Sequence, residues 1–273
     1  MQLWLRADQG TNTIIDGNDV VAWADQSANG YSANADVNST DDPTFTETAI
    51  NFNPGIEFDG TYTDDYSDGL HLGDDYIYSS NAGMHFFTVL KPGSTNNTFK
   101  KVFDFGQAGN LGYGMEYSLG FYKLITPLSH GGASTGSTHP NGFTPSILEG
   151  AVIFGDRQDV FQNSNLLGSD PITTTQITGA EVAEANAYGS SSPGNTVGPV
   201  SIGRKSASLA LSAVSGQIFH GDIAEVIIYN DTLSNIQRDK INSYLAIKYG
   251  LTCLLYTSPS PRDQRGSRMP SSA

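Results

Sequence analysis

Two stretches of this chain carry residue types that can do chemistry. The first is Tyr62-Thr63-Asp64-Asp65-Tyr66-Ser67-Asp68. Tyrosine rings give a sugar a face to stack on, and carboxylates take hydrogen bonds from hydroxyls or hold calcium, which makes Tyr62, Asp64, Asp65, Tyr66 and Asp68 the candidate ligand-binding residues. Tyr76 and Tyr78, with Asp74 and Asp75, continue the same composition. A solvated acidic loop is the competing reading of that pattern. The second stretch is Asp25-Gln26-Ser27-Ala28-Asn29-Gly30, a polar loop in which carboxylate, amide and backbone oxygens can converge on a hard cation. Asp25 and Asn29 are its candidate metal ligands, and one structural calcium ion is the only cofactor expected. An Asx-rich turn without an ion is the alternative.

Other chemistries lack their signatures. There is no Gly-x-Ser-x-Gly nucleophile turn, no phosphate-cradling Gly-x-x-x-x-Gly-Lys and no paired Cys or His zinc spacing. His130 and His139 share a glycine- and serine-rich stretch with no third ligand at a defined spacing, a weak metal signal.

The elements that must position these loops are strands. Thirty glycines, 13 Phe and 13 Tyr, with many Asn, Ser, Thr and Asp, describe strands punctuated by turns. Leu3 to Asp8 and Val20 to Trp23 read as a strand pair near the amino end. Ile50 to Asn53 and Gly55 to Gly60 read as strands broken at Pro54-Gly55. Met84 to Leu90 is the clearest strand of the first half, and Lys101 to Gly106, Met115 to Phe121 and Ile147 to Phe154 follow it. Residues 130–145 read as a long loop, Phe161 to Gly168 as a hairpin, residues 173–197 as an excursion between strands, and Val200 to Gly203 as a strand.

The strongest pattern is the last. Asp222 to Tyr229 is a strand covered on both sides, with Ala224, Val226 and Ile228 on one face and Ile223, Ile227 and Tyr229 on the other. Glu225 stands in it as a lone carboxylate hydrogen-bonded to a neighbour. Ser234 with Gln237 has the form of a capping box, Ile241, Tyr244, Leu245 and Lys248 follow at helical spacing, and Gly250 is placed to stop the helix. The spacing predicts one helix over about 234–249. The whole is read as an all-β sandwich of ten to twelve strands with one C-terminal helix.

The formal charge of −14, with no basic run, sets the chain against nucleic acid or an anionic membrane surface as a partner. No segment approaches the ~18 continuous apolar residues of a membrane span, so membrane insertion is not expected. Cys253 to Ala273 departs abruptly in composition and resembles the translation of a sequencing-library transposase adapter, a tail found on assembled metagenomic reading frames. Set aside as artefactual, it leaves a domain of residues 1–252 with 11 basic and 27 acidic residues and no cysteine. Met1 to Arg6 has no secretion-signal pattern, and with the tail this reads as an internal fragment of a longer gene.

Leu3 to Asp8, Trp23 to Gly30, Ile56 to Gly60, Phe87 to Pro92, Ile202-Gly203, Gly221 to Leu233 and Tyr244 to Thr252 occur in the order of a known group. The chain resembles a laminin-G-like, concanavalin A-like jelly-roll domain of large secreted Bacteroidota proteins. Ala28 stands where that group usually has Gly. The resemblance implies a non-catalytic module at the cell surface or in the medium. It would bind a glycan or a surface protein beside flanking domains of one adhesin-like polypeptide. A spacer domain is the alternative. The distant alternative is a laminarinase-type glycoside hydrolase, which needs paired carboxylates about 5 to 5.5 Å apart. Glu57-Phe58-Asp59 begins that family's pattern, but Thr61 and Tyr62 occupy the places of the second Glu.

Overall fold

The computed structural model describes residues 1–36, 39–61, 68–72, 83–93, 100–105, 113–118, 121–125, 143–153, 155–171, 200–204 and 218–251. Their strands are β1 (Leu3–Arg6), β2 (Ala22–Ala24), β3 (Ser32–Asn34), β4 (Thr44–Ile50), β5 (Asn53–Asp59), β6 (Leu70–Leu72), β7 (Gly83–Pro92), β8 (Lys100–Phe105), β9 (Tyr113–Ser118), β10 (Phe121–Ile125), β11 (Ser146–Ile153), β12 (Arg157–Gln162), β13 (Asn165–Pro171), β14 (Val200–Ile202) and β15 (His220–Tyr229). The helix α1 (Asn235–Lys248) follows.

Two antiparallel sheets face each other. The first has the order β13-β12-β11-β7-β15-β5-β4, with β1 also on β15, and the second has the order β10-β9-β8-β14-β6-β3-β2. The jelly-roll sandwich with one C-terminal helix that the sequence implies is the architecture observed. The expected amino-terminal strand pair is not: β1 lies in the first sheet and β2 in the second. The reason lies in β15, a ten-residue strand whose one edge is shared. Its first residues pair with β5, from His220 opposite Asp59 to Ile223 opposite Ile56. Its remainder, from Glu225 to Ile228, is taken up by Arg6 to Leu3 of β1.

A register shift between Ile223 and Glu225 also corrects the face assignment along β15. With strict alternation Ala224 would share a face with Val226 and Ile228. A bulge places two consecutive residues on one side. Ile223, Val226 and Ile228 therefore enter the core between the sheets, whereas Ala224 and Ile227 pack under the helix. Between β4 and β5 the break likewise differs from expectation. β5 runs through Pro54 and Gly55, and the chain turns instead at Asn51 (φ 47) and Phe52 (φ 68).

The inter-sheet core holds Leu3, Leu5, Trp23, Phe58, Leu70, Leu72, Phe86, Leu90, Phe103 and Val226 among others. Across it the Phe86 and Phe103 rings meet edge to face at 4.8 Å, a favoured aromatic geometry. The outer face of the first sheet is covered by α1, with Phe87, Val89, Ile147, Ala224 and Ile227 packed against Leu245, Ala246 and Tyr249.

Local sequence starts and stops this helix as expected. The Gln237 N–H donates to Ser234 Oγ and the Ser234 N–H to Gln237 Oε1, a capping box. At the other end Gly250 has φ 65, and the Asn51 and Asn53 amides donate to the carbonyls of Tyr249 (2.8 Å) and Lys248 (3.1 Å), supplying partners that the last turn lacks.

Two buried carboxylates fix the helix to the sheet. Glu149 accepts from His85 Nε2 (3.0 Å), Asn242 Nδ2 (3.0 Å) and Arg238 Nε. The Leu233 N–H donates to His85 Nδ1 (3.3 Å), so the ring proton lies on Nε2, facing Glu149. Burial alone pushes the Glu149 carboxyl up, and these three donors outweigh it and hold the group below its usual range. Glu225, the lone carboxylate of the sequence, accepts from Trp4 Nε1 (2.7 Å), Tyr244 Oη (3.1 Å), Lys248 Nζ (2.7 Å) and Tyr249 Oη (2.8 Å). Lys248 also pairs with Asp8 at 3.0 Å.

Candidate binding rim

β5 and β7 end where β15 begins, and polar side chains gather there. Pairing alone puts them in rows. Asp59 lies opposite His220, whose carbonyl accepts the Gly93 N–H at 2.8 Å. One step along, Glu57 lies opposite Asp222, and Asp222 opposite Lys91, with Lys91 Nζ 3.5 Å from Asp222 Oδ2. The His220 side chain fits because two neighbours have none. A Cβ on Gly60 would stand 2.7 Å from His220 Cβ, and one on Gly93 2.8 Å from its Nε2. Glu57 and Asp59 are exposed and Asp222 is half-buried. Burial raises Asp222 to about 6, with Lys91 pulling down and Glu57 pushing up.

The loop that carries the predicted ligand residues leaves from Thr61 and returns at Asp68. Both of its ends are tied to this rim. The Thr61 N–H donates to Asp59 Oδ1 (2.6 Å), the Gly60 N–H to Asp68 Oδ2 (2.8 Å), and the Asp68 N–H to the Asp41 carbonyl (2.6 Å). Asp68 is 2% exposed and has φ 52, a conformation in which Asp is one of the few tolerated side chains. Its carboxyl is pushed up to about 8, first by burial and then by the charges of Asp59 and Asp41, against the pull of backbone N–H groups. It is therefore largely protonated near neutrality and can donate a hydrogen bond.

On the outer face of the second sheet a polar row crosses four strands: Asn34, His71, Ser201 and Asp104. His71 Nδ1 lies 2.9 Å from Ser201 Oγ. A histidine beside a serine invites comparison with a nucleophile and its base. The environment points elsewhere, because Ser201 is fully buried and the imidazole is lowered to about 4, by burial and then by the Arg204 charge. A base that weak holds position better than it takes protons near neutrality.

Of the residues expected to bind ligand, Asp68 is placed at this rim, and Tyr62, Asp64, Asp65 and Tyr66 lie outside the described residues. Asp25 and Asn29 are brought together in one loop against β1. Asp25 Oδ1 accepts from the N–H groups of Trp4 and Ser27 (both 2.8 Å), and Oδ2 from Tyr31 N–H (3.2 Å) and the Ser27 hydroxyl. Asn29 Nδ2 donates to the Gln2 carbonyl at 2.8 Å. Sequence reasoning missed His220, Asp222, Lys91, His71 and Ser201 as neighbours. Each comes from a different local pattern, and only strand pairing joins them. The one sequence signal was the glycine on either side of the acidic loop's start and β7's end, Gly60 and Gly93.

Solved structures share this arrangement. A botulinum neurotoxin type C structure, from a study of cell entry through two ganglioside molecules, superposes with a TM-score of 0.58 at 10% identity, covering 89% of this chain and 51% of that one. The binding domain of botulinum neurotoxin serotype D/C gives 0.55 at 9% identity, over 89% and 52%. Domain 4 of AbnA, a GH43 extracellular arabinanase from Geobacillus stearothermophilus in complex with arabinotriose, gives 0.53 at 16% identity, over 86% and 95%. The fold is a β-sandwich. This chain spans about half the length of the neurotoxin structures, and identities this low speak for the fold alone. No protein-family model matches the chain, and no curated protein matches it by sequence.

Proposed function

We propose that this chain is a non-catalytic binding module of an extracellular or cell-surface polypeptide, taking a glycan or a surface protein at the rim around His220. The observation that carries this reading is the gathering of Glu57, Asp59, His220, Asp222, Lys91 and Asp68 at the mouth of one tyrosine- and acid-bearing loop. Such a set offers donors and acceptors to hydroxyls, and the loop supplies rings for stacking. Neighbouring folds in complex with arabinotriose or with rat synaptotagmin II support a binding role of either kind. The native domain is proposed to span residues 1–252 within an adhesin-like chain of several domains, with residues 253–273 foreign to it. Sequence from the flanking genomic DNA tests that boundary.

A glycan array probed with the protein, with and without calcium, tests the function. Binding that falls at least tenfold in His220→Ala supports it, and no binding to any glycan or surface protein leaves the spacer reading. The hydrolase reading retains one specific observation, the cross-strand pair of Glu57 with Asp222. A retaining glycosidase requires carboxyl groups about 5 to 5.5 Å apart, a separation that two acids directly opposed on paired strands can reach. Reducing sugar released from β-glucan by the protein and lost in Glu57→Gln would overturn the non-catalytic proposal.

A structural calcium ion at Asp25 and Asn29 is the second part of the proposal. The loop gathers carboxylate, hydroxyl, amide and carbonyl oxygens of the kind a hard cation takes, and an ion bound there would displace N–H and hydroxyl donors that Asp25 accepts from. Calcium that binds only the folded state raises the melting temperature, and EDTA lowers it. An unchanged melting temperature rejects the ion.

A further inference from the structure

The inner face of the first sheet carries a few buried polar side chains among its apolar ones. At one corner Thr88 of β7 and Ser146 of β11 are 1% and 0% exposed, and neither hydroxyl has a hydrogen-bond partner in the protein. Both belong to the inward-facing set. Thr88 alternates with Phe86 and Leu90, and Ser146 with Leu148, all three flanking positions being placed by the inter-sheet cluster. The β7–β11 register sets Ser146 opposite Leu90 and Leu148 opposite Thr88, so the two hydroxyl residues are diagonal neighbours on one face.

Diagonal neighbours on paired strands stand roughly 7 Å apart. That is too far for a direct hydroxyl–hydroxyl bond, and it is a span that one molecule making two bonds of about 2.8 Å can bridge. The same corner is polar on its far side. Gln162 of β12 lies there opposite Leu148, buried, while Gln158, on the same strand face but at its other end opposite Val152, is buried with an unpartnered Oε1. Three of the six unpartnered side-chain atoms among the described residues therefore sit on the inner face of three adjacent strands. A buried hydroxyl left without a partner is expensive, and folded proteins meet that cost with internal water, about one molecule per 27 residues.

We infer that Thr88 and Ser146 together hold a buried water molecule between the two sheets. The site is distinct from the rim, and its ligand class is a single small molecule able both to donate and to accept. The water completes the hydrogen bonding of β7, which pairs with the central β15, and of β11 beside it, so it belongs to the folded core rather than to the hydration surface.

A double-mutant cycle on the full chain tests this. Thr88→Val and Ser146→Ala remove the hydroxyls with little change of shape, and urea unfolding gives the unfolding constant of each variant and of the pair. With a shared water each single change raises the unfolding constant roughly fivefold, and the double change raises it little more than either alone. Dry hydroxyls give the opposite result, since removing an unpartnered polar group leaves stability unchanged or increases it. Additive losses would also overturn the shared site. Independently, water–protein rotating-frame Overhauser spectra of the wild type should show a long-lived water near the Val89 and Ile147 amides that disappears in the double variant. Its absence from the wild type rejects the inference.

Discussion

The carboxylates beneath α1 and Asp68 at the rim are comparably buried and differently partnered. Glu149 and Glu225 are both 0% exposed, and each meets three or more side-chain donors, at least one of them cationic. Asp68, 2% exposed, meets backbone N–H groups and the like charges of Asp59 and Asp41. The consequence is opposite: Glu149 is held down and Asp68 is lifted to about 8. Burial by itself thus does not distinguish a structural acid from a candidate functional one. The kind and number of partners do, because a cation and several side-chain donors together offset the loss of hydration at Glu149, whereas at Asp68 two like charges add to it.

The comparison breaks most visibly at Glu149. Glu149→Ala leaves Arg238 and His85 facing an apolar layer and should cost about 3 to 5 kcal/mol, measured by urea denaturation. A loss below about 1 kcal/mol would mean that the helix is held by its apolar face alone. Next in size is the pH response. The folded pKa of Asp68, about 8, lies above its ordinary value of 3.8, so the folded state binds the proton more tightly. Its contribution to stability is then greatest below about pH 4 and is lost as pH rises toward 8. Asp68→Asn should flatten the stability profile over that window, as read by thermal unfolding at a series of pH values. An identical slope in the variant would remove Asp68 from the account. Glu149 has the opposite sign, its contribution being present above its unfolded pKa and lost as pH falls through the lower folded value.

The smallest effect concerns Lys91, whose ammonium is 42% exposed and weakly placed at 3.5 Å. Lys91→Met should move the Asp222 titration upward from about 6, followed by carboxyl-carbon NMR, with stability changed by less than about 1 kcal/mol. An unmoved midpoint would show that burial and Glu57 alone set it.

What the sequence determined by itself is whatever rests on neighbours along the chain. Near-continuous aromatic and β-branched runs specified β7 and β15, and Ser234, Gln237 and Gly250 marked the two ends of α1, because a cap is chemistry within a few residues. The acidic loop's position between Gly60 and Asp68 was legible for the same reason. Tertiary structure alone decided which strands meet and therefore which polar groups do. The bulge at Ala224 reversed the face assignment that perfect alternation would have made for Ile223 and Ala224, and Glu225, on the face of Ile227 under the helix, meets Trp4 from 221 residues away. His71 and Ser201, 130 residues apart, are neighbours only because β6 and β14 pair. Neither contact has a local signature, since strand pairing is fixed by burying whole faces against one another and not by the few residues that end up in chemical contact.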